Sequence, residues 1–185
     1  SSAASDVYKR QAYERWAKVY NLKQMAAALQ YLKEHQLFEY DDLAAKTDAA
    51  TERFHTLAGV IQQTEAELSR VSDLMAAVVQ YAKTRPAFDG YKAAKYSRKY
   101  LAEHEAELAD YRVAKATMAE LLGGEKLPEM DVLKEKRRQL AARKKALYLE
   151  YRKAQHDMRE LVAVKGSVDH LCGLTDSQRN KEQAR

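Results

Sequence analysis

The stretch LAAKTDAATERFHTLAGVIQQTEAELSRVSDLMAAVVQYA, residues 43–82, decides the fold. Leu43, Thr47, Ala50, Phe54, Leu57, Ile61, Thr64, Leu68, Val71, Met75, Val78 and Ala82 are spaced alternately by four and three. An unbroken a/d spacing over more than five heptads is a coiled-coil seam. At 1.5 Å rise per residue this helix runs for about 60 Å. Residues 41–84 are predicted as the first long helix, with Asp41 or Asp42 as its cap. It is expected to stop near Thr84, because Pro86 disfavours helical backbone at Arg85.

Residues 128–172 carry a second seam: Leu133, Arg137, Leu140, Lys144, Leu147, Tyr151, Ala154, Met158, Leu161, Lys165, Val168 and Cys172. Pro128 suits the first turn, and Gly173 is a natural stop. Arg137, Lys144 and Lys165 pack only by letting their charges snorkel, so this seam is looser. Between the seams lies an insert, 85–127, with one helix over Ser97–Leu122 that turns Leu101, Leu108, Tyr111, Met118 and Leu122 inward. The chain therefore reads as all-α: a long antiparallel coiled-coil pair with a small helical head at its tip. A three-helix bundle is the competing arrangement. Residues 12–37 read as short N-terminal helices, broken near Asn21. Their stripe Tyr13, Trp16, Ala17, Tyr20, Met25, Leu29, Leu32 is expected to be buried. The polar segment 173–185 reads as a disordered tail.

Residues 1–11, SSAASDVYKRQ, have a different reading. Turned back into codons, they resemble the adapter that a transposase-based sequencing kit attaches to fragmented DNA. They are expected to be an artefact and set aside from the fold. The chain would then be a C-terminal part of a longer protein, with which the missing initiator Met agrees.

Composition favours helix: charged residues are 32%, Gly 6 and Pro 2. The formal charge is +5 from 32 bases and 27 acids. No apolar run is long enough to cross a membrane as a helix. The single cysteine, Cys172, is expected to pack as a thiol on its seam, and suits a cytoplasmic location. His35, His55, His104, His156 and His170 are scattered and match no metal motif, and GGEK at 123–126 lacks the spacing of a phosphate loop. No catalytic constellation, metal or cofactor is expected in this segment.

Charge is segregated. Residues 39–73 hold eight acids against three bases, and residues 134–145 seven bases against one acid. Residues 83–100, KTRPAFDGYKAAKYSRKY, hold six bases against one acid, with Tyr91, Tyr96 and Tyr100 interleaved. Cations follow a phosphate backbone, and aromatic faces stack on bases. Antiparallel pairing would set 134–145 beside 70–81 and bring both basic segments to one tip. The candidate nucleic-acid-binding residues are Lys92, Lys95, Tyr96, Arg98, Lys99, Tyr100, Lys136, Arg138 and Lys145. The plainer reading is that the tyrosines pack the head and the lysines are solvated.

The strings YERWAKVYNLKQMAAALQYLKEH (13–35), YAKTRPAFDGYKAAKYSRKYLAEHEAEL (81–108) and EYRKAQHDMRELVAVKGSVDHL (150–171) resemble the C-terminal region of relaxase/mobilisation nucleases. These are carried by conjugative and mobilisable elements of gut Firmicutes. In that family an upstream domain nicks one strand with a tyrosine nucleophile and a histidine-bound metal, and none of those residues can be placed here. The resemblance implies a non-catalytic module that touches DNA, single-stranded and weakly, or relaxosome and coupling proteins. A structural coiled coil that self-associates or acts as a scaffold, without nucleic acid, is the alternative.

Overall fold

The computed structural model describes residues 2–184, apart from the side chains of 174–180 and 182. They form five helices: α1 Ser2–Glu34, α2 Tyr40–Ala93, α3 Arg98–Glu103, α4 Glu105–Leu122 and α5 Met130–Gln183. Among the described residues there is no strand, as an all-α reading requires. The chain divides into two compact units, Ser1–Ala58 with Glu150–Arg185, and Gly59–Leu149.

In the first unit α1, α2 and α5 share one core. Ala28 and Tyr31 of α1, Leu43 of α2, and Leu161 and Val164 of α5 close it, with Leu32, Leu37, Ala50 and Val168 packed around them. Tyr40 donates to Asp169 at 2.7 Å, and Phe54 stacks on Tyr151 at 4.9 Å. Rising residue numbers on α2 thus meet falling numbers on α5, which is antiparallel pairing. Lys165 snorkels: half-buried, it reaches Asp169 at 2.8 Å and lies over the Tyr40 ring. Its hydrogen bond holds the Asp169 carboxyl below the usual carboxylate range, with Tyr40 adding to the effect.

α1 corrects two expectations. It runs unbroken through Asn21, because no Gly or Pro interrupts residues 1–34, and residues 2–11 extend it as a fully exposed end that adds nothing to the core. It ends in a left-handed turn, with Gln36 at φ 55° and Leu37 N–H donating to Leu32 C=O at 2.8 Å. Its aromatic stripe is not buried: Tyr13, Trp16, Tyr20 and Leu29 are exposed, while Ala17, Met25 and Leu32 are half-buried. The core is instead reached through Ala28 and Tyr31, on a neighbouring face.

The second unit packs α2, α4 and α5 together, with the short α3 between α2 and α4. Val71, Leu74 and Met75 of α2 pack with Leu133 and Leu140 of α5, and Met118, Leu121 and Leu122 of α4 close the cluster. α4 runs back along α2: Tyr111 stacks on Phe88 at 4.3 Å and on Tyr81 at 5.3 Å, while Arg70 bonds the Leu121 carbonyl at 3.0 Å. The insert is therefore no cap on a two-stranded tip, and the bundle describes this unit better. Leu74, Ala77, Thr84 and Ala87 are buried outside the a/d pattern because α4 needs a second contact face. Ala82, which the pattern places inside, is exposed.

α2 does not stop at Thr84. It continues through Pro86 to Ala93. Proline inside a helix removes a hydrogen bond and costs about 3 kcal/mol. Tertiary contacts beyond it offset this: Ala87 is buried, Phe88 lies on Tyr111, and Tyr100 Oη donates to the Ala87 carbonyl at 2.8 Å. The single helix expected over Ser97–Leu122 is broken at His104 into α3 and α4. Ser97 caps α3 by accepting from Tyr100 N–H, and Gly123 at φ 55° closes α4. Leu108 and Tyr111 are buried and Leu101, Met118 and Leu122 half-buried, as their spacing predicts.

Gly90 lies under the Tyr100 phenol, where an added Cβ would collide with the ring and its oxygen. Because that oxygen is held by the Ala87 carbonyl, the ring cannot swing away freely. Gly90→Ala is expected to cost about 1–3 kcal/mol in urea unfolding, the usual penalty of overpacking. Combined with Tyr100→Ala it should cost less than the two single changes added together. Simple additivity would show that the two residues do not touch.

α5 passes through Gly173, since a mid-helix glycine costs only about 1 kcal/mol. Cys172 is exposed, not packed on the seam. The segment 173–185, expected to be a disordered polar tail, is helical as far as Gln183, with most of its side chains outside the described ones. Among the described residues no helix is long and apolar enough to cross a membrane.

Candidate nucleic-acid interface

The second unit contains both basic segments. The first surrounds the turn between α2 and α3. Lys95 and Tyr96 take φ of 56° and 59°, and Tyr96 N–H donates to the Tyr91 carbonyl at 2.9 Å. This left-handed pair reverses the chain and turns the Tyr96 ring outward, where it is 58% exposed. It meets the half-buried Tyr91 ring T-shaped, with centroids 5.1 Å apart. Lys92, Lys95, Arg98 and Lys99 are all exposed in the same segment. Lys92 leans over the Phe88 ring at 5.7 Å. An exposed ring among four cations can stack on a base while phosphates meet the charges.

Tyr100 has another task. Its hydroxyl is bound to Ala87, its ring stacks on His104 at 4.0 Å, and it covers Gly90. It is half-buried and committed to packing, as the plainer sequence reading has it.

The α5 residues stand differently again. Lys136 pairs with Glu67 at 3.2 Å, and Arg138 forks onto Glu135 at 2.6 and 2.9 Å. The Glu135 hydrogen bond holds the Arg138 guanidinium above its ordinary pKa. Lys145 is exposed, whereas its neighbour Lys144 lies 3.8 Å from Glu65, which also accepts from Tyr148. Part of the acidic stretch therefore faces the basic one and offsets it. The two basic segments do not form one patch. Residues 133–140 pack near 71–75 of α2, and Lys92 lies 17 residues beyond Met75, about 25 Å along that helix. The expected level of 134–145, beside 70–81, is met only at its lower end: Leu133 and Leu140 pack with Val71 and Met75, while Lys136 meets Glu67 and Lys144 lies by Glu65.

The histidines do not gather. His35 and His104 place Nδ1 against the carbonyls of Tyr31 and Tyr100, at 2.9 and 3.1 Å. His156, Asp157 and Glu160 do bring ligand atoms within 4.8 Å of one another on an exposed stretch of α5, a grouping the sequence motifs did not flag. Arg152 and Arg159 line the same shallow hollow and oppose a cation there. In the first unit a groove of about 510 Å³ separates α1 from α5, bounded by Asn21, Gln24, Tyr31, Glu160, Ser167 and His170. Burial raises the Tyr31 phenol, and the nearby Glu160 and Asp157 charges add to it.

No protein-family model, no curated protein and no solved structure matches the chain.

Proposed function

We propose that this chain is a helical, non-catalytic module of a DNA-mobilising relaxase that contacts single-stranded DNA weakly and with little sequence preference. The observation that carries the DNA contact is the outward Tyr96 ring among Lys92, Lys95, Arg98 and Lys99. The relaxase context rests on the resemblance of residues 13–35, 81–108 and 150–171. Tyr100 supports the contact indirectly, by fixing the turn that presents Tyr96. Lys136 and Arg138, already paired, contribute less than their charge suggests. Relaxosome or coupling proteins are the other partners this reading admits. A structural scaffold module without nucleic acid is the second reading, and the packing role of Tyr100 favours it.

The test is a salt titration of a labelled oligonucleotide followed by anisotropy. Log affinity should fall with log salt by about 0.7 per phosphate neutralised on a single strand. Tyr96→Ala should cost about 1–3 kcal/mol of binding with helicity unchanged. A chain that binds no oligonucleotide at low salt leaves the scaffold reading in place. The relaxase context is tested by the genomic reading frame around this segment: a histidine-rich metal motif and a nucleophilic tyrosine upstream are expected.

A further inference from the structure

The groove between α1 and α5 lies within the first unit, away from both basic segments. Its volume of about 510 Å³ is that of a small-molecule site. Met25 and Ala28 of α1 and Val164 of α5 give it an apolar floor. Tyr31 stands in its wall and is only 9% exposed. His35 stacks on the Tyr31 ring at 3.9 Å, and Leu43 and Leu161 share its core cluster, so the ring is fixed. Buried tyrosines usually find a partner for their hydroxyl. Among the described residues none hydrogen-bonds the Tyr31 hydroxyl, and no buried side-chain oxygen is sealed from solvent without a partner. The hydroxyl therefore still meets solvent, and the groove is its opening. The charges that reach it are negative: Glu160, which lines the groove, and Asp157, one turn earlier on α5. No lysine or arginine lines the groove.

We propose that this groove binds a small organic amine as its ammonium ion, with the cation held by the Glu160 carboxylate and the Tyr31 hydroxyl oxygen and the apolar body lying on Ala28 and Val164. An ammonium group brings only donors, and both oxygens can accept. Glu160 is 3.9 Å from His156, too far for a hydrogen bond, and makes no ion pair with Arg152 or Arg159 in the hollow beside it. A carboxylate ligand would meet Glu160 as a like charge, and a neutral one would leave it without a counter-ion. The site does not depend on the DNA reading above.

Hexylamine and hexanoate make the test, because they share an apolar chain and differ in charge. Each is titrated into the full chain near neutral pH, where an alkylamine is protonated as lysine is, and amide NMR shifts are followed. Hexylamine should move the amides of Ala28, Tyr31, Glu160 and Val164 saturably, and hexanoate should leave them in place. Glu160→Gln should weaken hexylamine about tenfold, and Tyr31→Phe about two- to tenfold. Tyr31→Phe should leave the unfolding midpoint in urea unchanged, since its hydroxyl has no partner to lose. Equal shifts from the two ligands, no saturable shift at these amides, or hexylamine binding that survives both substitutions would overturn the site. A clear loss of stability in Tyr31→Phe would show the hydroxyl already engaged and overturn it too. Groove shifts that depend on protein concentration without ligand would overturn it in favour of a second copy.

Discussion

Reversal of Lys92, Lys95, Arg98 and Lys99 to Glu should remove the DNA contact of the α2–α3 turn. If each cation meets one phosphate, the slope of log affinity against log salt should fall by about 3, four times the single-strand value of about 0.7. The fold should be untouched, because all four side chains are exposed and circular dichroism can verify it. Like-charge repulsion replaces attraction at the same positions, so this change is harsher than neutralisation. Equal binding by the reversed and the original chain would leave the basic turn as a solvated bend and return the unit to a structural role.

Leu43→Ala should be among the most destabilising single changes. Leu43 is 1% exposed and is held among Tyr31, Leu161 and Val164, so it joins three helices. A buried Leu→Ala change costs about 2–5 kcal/mol from lost transfer energy and the cavity left behind. Urea unfolding followed at 222 nm reads this directly. Leu149→Ala is the control: at 62% exposure it should stay within about 0.5 kcal/mol of the parent. Equal effects at the two positions would mean that α1, α2 and α5 do not meet as described.

The same leucine shows how far the sequence reaches. Leu43, Leu57, Ile61, Val71 and Met75 are legible as core because their spacing matches a helix period, which is a local property of the chain. The antiparallel sense of the long pair is legible too, since the insert between the seams allows α5 to return along α2. The bounds of the helices are less so. Pro86 is a local stop signal, and it is overridden by contacts of Ala87 and Phe88 with residues 100 and 111. His104 breaks a helix where no glycine or proline marks a break.

For the candidate site, composition found the basic, tyrosine-rich segment but could not sort its rings. Tyr96 and Tyr100 are four residues apart in one run. One is turned out by a left-handed turn, and the other is locked over Gly90. Likewise Lys136 and Arg138 count as positive charge in the sequence, and only the folded chain shows Glu67 and Glu135 against them. Tyr13, Trp16 and Tyr20 have the periodicity of a buried stripe, yet the helix meets its neighbours through the adjacent face bearing Ala28 and Tyr31.

The sequence by itself determined the helical class, the two long seams, and which segments carry the charge, because periodicity and composition act within a few turns of chain. Only the tertiary structure decided which apolar face is covered, which cations are already paired, and which tyrosines remain exposed. Those depend on helices brought together from distant parts of the chain, where Tyr31 reaches Leu161 and Tyr81 reaches Tyr111.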